Sequence, residues 1–147
     1  MKLIRVYSDG GYRINLGFGA YAFIIIVDGV MVAYGGDVVK GAASNRCEYM
    51  AVVEAIKKAG DMGVFEEGDS VEVWSDSQLL VNQVNRVWKT NDMDLMVLQA
   101  KIDIGCKSVF PGCDVRFYWN SRESQYTKMC DKICDDLINK EAMLRKC

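Results

Sequence analysis

The stretch Ala20–Tyr34, AYAFIIIVDGVMVAY, reads as two strands folded back on one another. Two runs rich in β-branched and aromatic residues flank Asp28-Gly29, a pair that tolerates the positive φ angles of a two-residue hairpin turn. The spacing predicts antiparallel strands over Ala20–Val27 and Val30–Tyr34. Upstream, Leu3–Tyr7 is a third β-prone run, and Ser8, Asp9, Gly10 and Gly11 behind it read as a turn. Three antiparallel strands therefore open the chain.

Downstream the period changes. Asn45–Ala59 carries Met50, Val53, Ala55 and Ile56 in helical rhythm and ends at Gly60. Val71–Ser75 reads as a buried strand, and Ser77 can cap a helix running to about Asn85. A polar stretch through Asp92 precedes a helix over Asp94–Lys107, and Pro111-Gly112 breaks the chain. Asp114–Trp119 alternates as a strand does. Gln125–Lys146 is a long amphipathic helix with Ile133, Leu137 and Leu144 available for a core. The order βββαβααβα predicts an α/β fold: a mixed five-stranded sheet, three strands antiparallel and two parallel, flanked by helices and joined by right-handed crossovers. No repeat or linker divides residues 1–147, so one domain is expected. With the first strand central and the fourth beside it in parallel, Asp9 and Asp76 would emerge together from the carboxyl ends of neighbouring strands, where open α/β sheets hold ligands.

With 147 residues, 50% hydrophobic and 26% charged, the chain has the composition of a folded globular protein. A formal charge of −2 and a pI near 5.2 exclude a protein coated in positive charge, such as a packaging factor. They do not exclude a nuclease, because two divalent cations in an acidic cluster raise the local charge by about four units. The most apolar run, Ala20–Val27, is far shorter than the roughly 20 residues that span a bilayer, and MKLIRVYSDGG meets an acid early. A soluble, cytoplasmic protein with no membrane partner is expected. The six cysteines include no CxxC pair and there is no histidine, so reduced thiols are favoured over disulfides or zinc. Cys130 and Cys134, four apart on a helix, read as core residues in preference to ligands for a soft metal. Cys147, at the terminus, reads as a reactive thiol.

Taken singly, each acid has an ordinary explanation: an Asp after a strand forms turns, and a Glu in a first helical turn complements the helix dipole. The set is more specific. YSDGGYRINLGFGAYA from Tyr7, SNRCEYMAVVEAIK from Ser44, WSDSQLLVNQVN from Trp74 and WNSRESQYTKMCDKI from Trp119 resemble, in order and spacing, the four signature segments of type 1 ribonuclease H, over nearly the whole chain. The resemblance implies an RNase H-like fold and an endoribonuclease that hydrolyses the RNA strand of RNA/DNA hybrids. It implies Asp9, Glu48, Asp76 and Asp131 as metal-binding catalytic acids, with Asp9 bridging two ions, Glu48 and Asp76 on the leaving-group side, and Asp131 on the side that activates water. In-line phosphodiester hydrolysis needs an activated water, neutralised phosphoryl charge and a stabilised leaving oxygen, which two Mg²⁺ ions roughly 4 Å apart can supply. Mg²⁺ takes oxygen ligands, so carboxylates suit it, with Mn²⁺ as a possible substitute.

The last helix offers Asp131, Asp135 and Asp136. The family pattern of a small residue, Asp, a variable residue and an apolar residue favours Asp131, between Cys130 and Ile133, while Asp135 lies one helical turn away. To cut RNA only when it is paired with DNA, the protein must sense 2′-hydroxyls from the minor groove, a task suited to amides and backbone groups. Gly10 and Gly11 allow turns and close approach of substrate, and the resemblance places Asn15, Asn45 and Gln78 against it. It also likens NRVWKTND, with Arg86, Trp88 and Lys89, to a shortened basic handle. Asn15 and Asn45 are equally suited to turns and caps, and Trp88 to packing on the following helix. Many relatives carry a histidine before the last helix; here Arg122 or Glu123 stands in that loop, with Arg122 facing substrate in this reading. Ala43 and Ser44 replace the Thr and Asn common in relatives, which weakens the expected grip on the DNA strand. A monomer is favoured. The alternatives are a noncatalytic nucleic-acid-binding module and a junction resolvase-like nuclease on the same fold.

Overall fold

The computed structural model describes every residue except Ala42, Val64 and Cys147, so the reading of Cys147 as a reactive thiol lies outside the described residues. The elements are β1 (Leu3–Arg13), β2 (Phe18–Val27), β3 (Val30–Lys40), α1 (Ser44–Met62), β4 (Ser70–Ser75), α2 (Gln78–Val84), α3 (Met93–Val109), β5 (Asp114–Trp119) and α4 (Gln125–Arg145). One sheet has the order β3-β2-β1-β4-β5, antiparallel from β3 to β1 and parallel from β1 to β5. This is the mixed five-stranded α/β architecture that the element order predicts.

Burial explains why β2 reads as an unbroken apolar run: both of its faces are covered. Phe23 and Ile25 join Ile4, Val6, Val71 and Val73 beneath Tyr49, Val52, Val53, Ile56 and Ala59 of α1. Phe18, Ala20, Ala22, Ile24 and Ile26 turn the other way, onto Cys130, Cys134 and Ile138 of α4. The Asp28-Gly29 turn has φ of 47° and 83°, the two positive angles the hairpin requires. Among the described residues, no helix is long and apolar enough to cross a membrane.

Three boundaries differ from expectation. Ser8 to Gly11 is not a turn: β1 continues to Arg13, with Gly10 opposite Tyr21 and Gly11 opposite Ala20, and the reversal falls at residues 14–17. Gly10 serves close approach instead, because a Cβ there would stand 2.4 Å from the Glu48 nitrogen and 2.5 Å from the Cys47 carbonyl carbon. Likewise β3 runs through Gly35 and Gly36 to Lys40, where a Cβ on Gly35 would meet the Phe23 ring at 2.8 Å. Helix α1 passes Gly60 and ends at Gly63, whose φ of 61° is the left-handed C-cap geometry.

Candidate active site

The parallel pairing of β1 with β4 sets Ser8 opposite Ser75. The next residue on each strand is an acid. Asp9 lies inside β1, not past its end as expected, because the Gly10 and Gly11 that follow it remain in the ladder; Asp76 does lie just beyond β4. Helix α1 is seated on Gly10, which brings Glu48 over the same point. One carboxylate oxygen from each of Asp9, Glu48 and Asp76 lies within 4.8 Å of the others. Asp131 of α4 lines the cleft that holds these three, together with Arg13, Ser44, Arg122 and Thr127. Of the other acids on α4, Asp135 instead accepts from Arg13 Nη2 at 2.6 Å, and Asp136 from Lys132 Nζ at 2.9 Å.

Crowding and burial make this an unfavourable place for negative charge. Asp9 is only 7% exposed. Desolvation, then the Asp76 charge, with smaller contributions from Asp131 and Glu48, push its pKa up to about 8 against the opposing Gly10 amide bond of 2.9 Å. Burial raises Glu48 to about 7, opposed chiefly by the Ser77 hydroxyl. Asp76 is raised by burial, with Arg122 pulling in the opposite direction. Arg122 Nε is 3.0 Å from Asp76 Oδ2, while Asp76 Oδ1 is buried with no hydrogen-bond partner. Three hard oxygen donors, two of them held well above the usual carboxylate range, and one orphaned carboxylate oxygen fit a divalent cation with oxygen preference.

The thiols beneath the cleft are core residues, as the sequence suggests. Cys130 Sγ lies 3.6 Å from the Tyr7 carbonyl and Cys134 Sγ 3.8 Å from the Asp9 carbonyl, so both donate to the backbone of β1. Burial, with the neighbouring acids, pushes both thiols far up. They stay protonated, which does not suit a soft-metal site.

All but Asn15 of the residues assigned to substrate contact fall into three groups. Gly10 and Gly11 line the acidic cleft. Asn45 and Gln78 line an adjoining hollow that shares Glu48, Asp76 and Arg122. Trp88 and Lys89 line a separate hollow with Arg86, Met96, Gln99 and Asp103 of the handle and α3. Asn15 is exposed in the turn at 14–17 and lines none of these. Two participants lie within the quoted segments without being singled out by them. Arg13 enters the cleft only because β1 is longer than its apolar run. Trp119 donates from Nε1 to the Asp76 carbonyl at 3.2 Å, a contact that exists only once β5 lies beside β4.

The sequence pattern of the family described as RNase H matches residues 1–137. Ribonuclease HI of Halobacterium salinarum is 39% identical over 93 residues, 63% of this chain and 45% of that protein. Ribonuclease H of Hahella chejuensis is 29% identical over 103 residues, 64% of each. The matched stretch thus spans about half to two thirds of these curated relatives. The crystal structure of RNase H1 from Halobacterium salinarum superposes with a TM-score of 0.81 at 29% identity, covering 94% of this chain and 98% of that one. LC11-RNase H1, solved in complex with an RNA/DNA hybrid, gives 0.80 at 25% identity, covering 95% and 99%.

Proposed function

The chain belongs to the RNase H family, and from that premise we propose that it is an endonuclease hydrolysing the RNA strand of RNA/DNA hybrids at the cleft of Asp9, Glu48, Asp76 and Asp131. The observation that carries this reading is the buried trio Asp9, Glu48 and Asp76, with ligand oxygens within 4.8 Å of one another and Asp76 Oδ1 unpartnered. The hybrid bound to LC11-RNase H1 supports the substrate class.

Asp9, Glu48 and Asp76 would hold the metal, with Asp131 completing the set from α4. Two Mg²⁺ ions, when bound, supply charge neutralisation on the phosphoryl group and a water of lowered pKa. The protein's own part is positioning. The β1–β4 register fixes Asp9 beside Asp76, α1 delivers Glu48, and Asn45 and Gln78 offer amides that both donate and accept at the edge where a minor groove would lie. Trp88 and Lys89 give a stacking surface and a phosphate-binding cation about the handle. No side-chain nucleophile is needed, and the buried thiols nearest the acids face away, into the backbone of β1.

The test is incubation of labelled RNA/DNA, RNA/RNA and DNA/DNA duplexes with Mg²⁺ or Mn²⁺, comparing wild type with Asp9→Asn and Asp76→Asn. Cleavage of the RNA strand of the hybrid, lost in both variants, is expected. A wild-type protein that binds hybrid but cuts no duplex would favour a noncatalytic binding module.

A further inference from the structure

The Arg122 guanidinium lines the cleft of the acidic trio. Its Nε is 3.0 Å from Asp76 Oδ2, and its positive charge also pulls against the raised pKa of Glu48. The two partners differ in freedom. Asp76 has a side chain only 4% exposed, whereas that of Arg122 is 82% exposed. The neighbouring backbone is anchored: Asn120 N donates to the Ser75 carbonyl at 2.9 Å, Thr127 Oγ1 to Asn120 Oδ1 at 3.2 Å, and Trp119 Nε1 to the Asp76 carbonyl at 3.2 Å. The Arg122 side chain can therefore swing outward without moving the loop that carries it. The adjacent acid does not compete for it, because Glu123 is paired with Lys128 at 3.0 Å.

We propose that Arg122 is a resident counter-ion for Asp76, which a divalent cation must displace before it can use that carboxylate. This rests on the reading of Asp76 as a metal ligand. In the metal-free protein the guanidinium partly neutralises the buried carboxylate. When a doubly charged ion arrives, like-charge repulsion and loss of the Oδ2 contact drive the side chain out toward solvent, on the side from which a phosphate would approach. Metal affinity is then an apparent constant, weakened by the fraction of molecules in which the latch is closed. Because the Arg122 side chain is 82% exposed, the pair closes weakly, and the penalty is roughly two- to five-fold.

Calorimetric titration with Mg²⁺ and Mn²⁺, without nucleic acid, tests this on wild type, Arg122→Gln, Arg122→Lys and Asp76→Asn. Arg122→Gln is expected to bind roughly two- to five-fold more tightly than wild type, Arg122→Lys to fall between them, and Asp76→Asn to bind far more weakly. In wild type, the ¹⁵Nε–¹H signal of Arg122 is expected to shift on metal saturation, a readout that stands even if a variant folds poorly. Equal or weaker binding by Arg122→Gln, or an Arg122 signal indifferent to metal, overturns the displacement. Absence of metal binding in wild type overturns instead the assignment of Asp76 as a ligand.

Discussion

At Asp9 the burial and the crowding of the cleft meet in one side chain. It lies in the middle strand, is only 7% exposed, and has Glu48 and Asp76 as near neighbours. Asp9→Asn removes one charge from a place that disfavours charge, so two opposite effects are expected. Hybrid hydrolysis falls by about three orders of magnitude, since metal-assisted charge stabilisation is worth several kcal/mol. In chelator at pH 8 to 9, by contrast, the variant melts a few degrees above wild type, an advantage that shrinks as pH falls and vanishes only below about pH 4, where Asp9 is neutral in the folded and the unfolded chain alike. Thermal melts at the two pH values check this; a variant less stable than wild type at both would remove the repulsion from the account. On the last helix, Asp131→Asn is expected to lose most activity and Asp135→Asn little, because Asp131 lines the cleft while Asp135 is engaged by Arg13. Comparison of kcat for the two variants decides it.

At the scale of elements, the joint between β1 and α1 is the tightest constraint. Gly10→Ala would drive a Cβ into the Glu48 amide and the Cys47 carbonyl, and is expected to cost about 3 kcal/mol and weaken metal binding as α1 lifts. Gly11→Ala, whose nearest neighbour would be Arg13 Nη1 at 3.5 Å, should cost less than about 1 kcal/mol. Denaturant midpoints for the two variants check the contrast. A second joint gathers the helices: buried Tyr49 donates to Gln83 Oε1 at 2.7 Å, and Gln99 Nε2 donates to the Gln83 carbonyl at 2.8 Å. Tyr49→Phe leaves Gln83 Oε1 short of a donor and should cost about 1–2 kcal/mol. These joints mark where the sequence stops being informative. The Asp28-Gly29 hairpin is legible because its cause is local, and the grouping of Asp9, Glu48 and Asp76 is legible because each sits in a patterned segment. Gly10 reads locally as a turn, yet its role is set by Cys47 and Glu48, which only the fold brings near. The same holds for Gly60, inside α1 with its Cα facing Val109, and for Arg122, in the loop before α4, whose partner Asp76 lies just beyond β4.

For the whole molecule, folding forces acids into a place they resist, and the pH dependence should report it. Asp9 and Glu48 have folded-state values near 8 and 7, above their ordinary values, so their contribution is complete below about pH 4 and is lost as pH rises through 7 and 8. Asp69 works in the opposite sense. Bonds from the Glu66 and Lys2 amides lower it to about 2, so its contribution is present above about pH 4 and disappears as pH falls through 2. The metal-free protein should therefore be most stable near about pH 4–5 and decline toward pH 8. Mg²⁺ at about a hundred times its dissociation constant should restore about 2.7 kcal/mol at pH 8, some 5–10 °C in Tm, and chelator should remove it. Calorimetric scans with and without Mg²⁺ across that range check both slopes.

The pairing of Ser8 with Ser75 also orders events during translation. The strands β1 to β3 are contiguous and can zip together while the ribosome is still at work, but Asp9 must wait for Asp76 on a strand made much later, and for Asp131 on the last helix. A nascent or stalled chain therefore presents scattered, solvated acids, neither mutually repulsive nor fit to capture an ion. The charged centre is assembled only after the core that must bear its strain, so any metal that the proposed site takes up would come last.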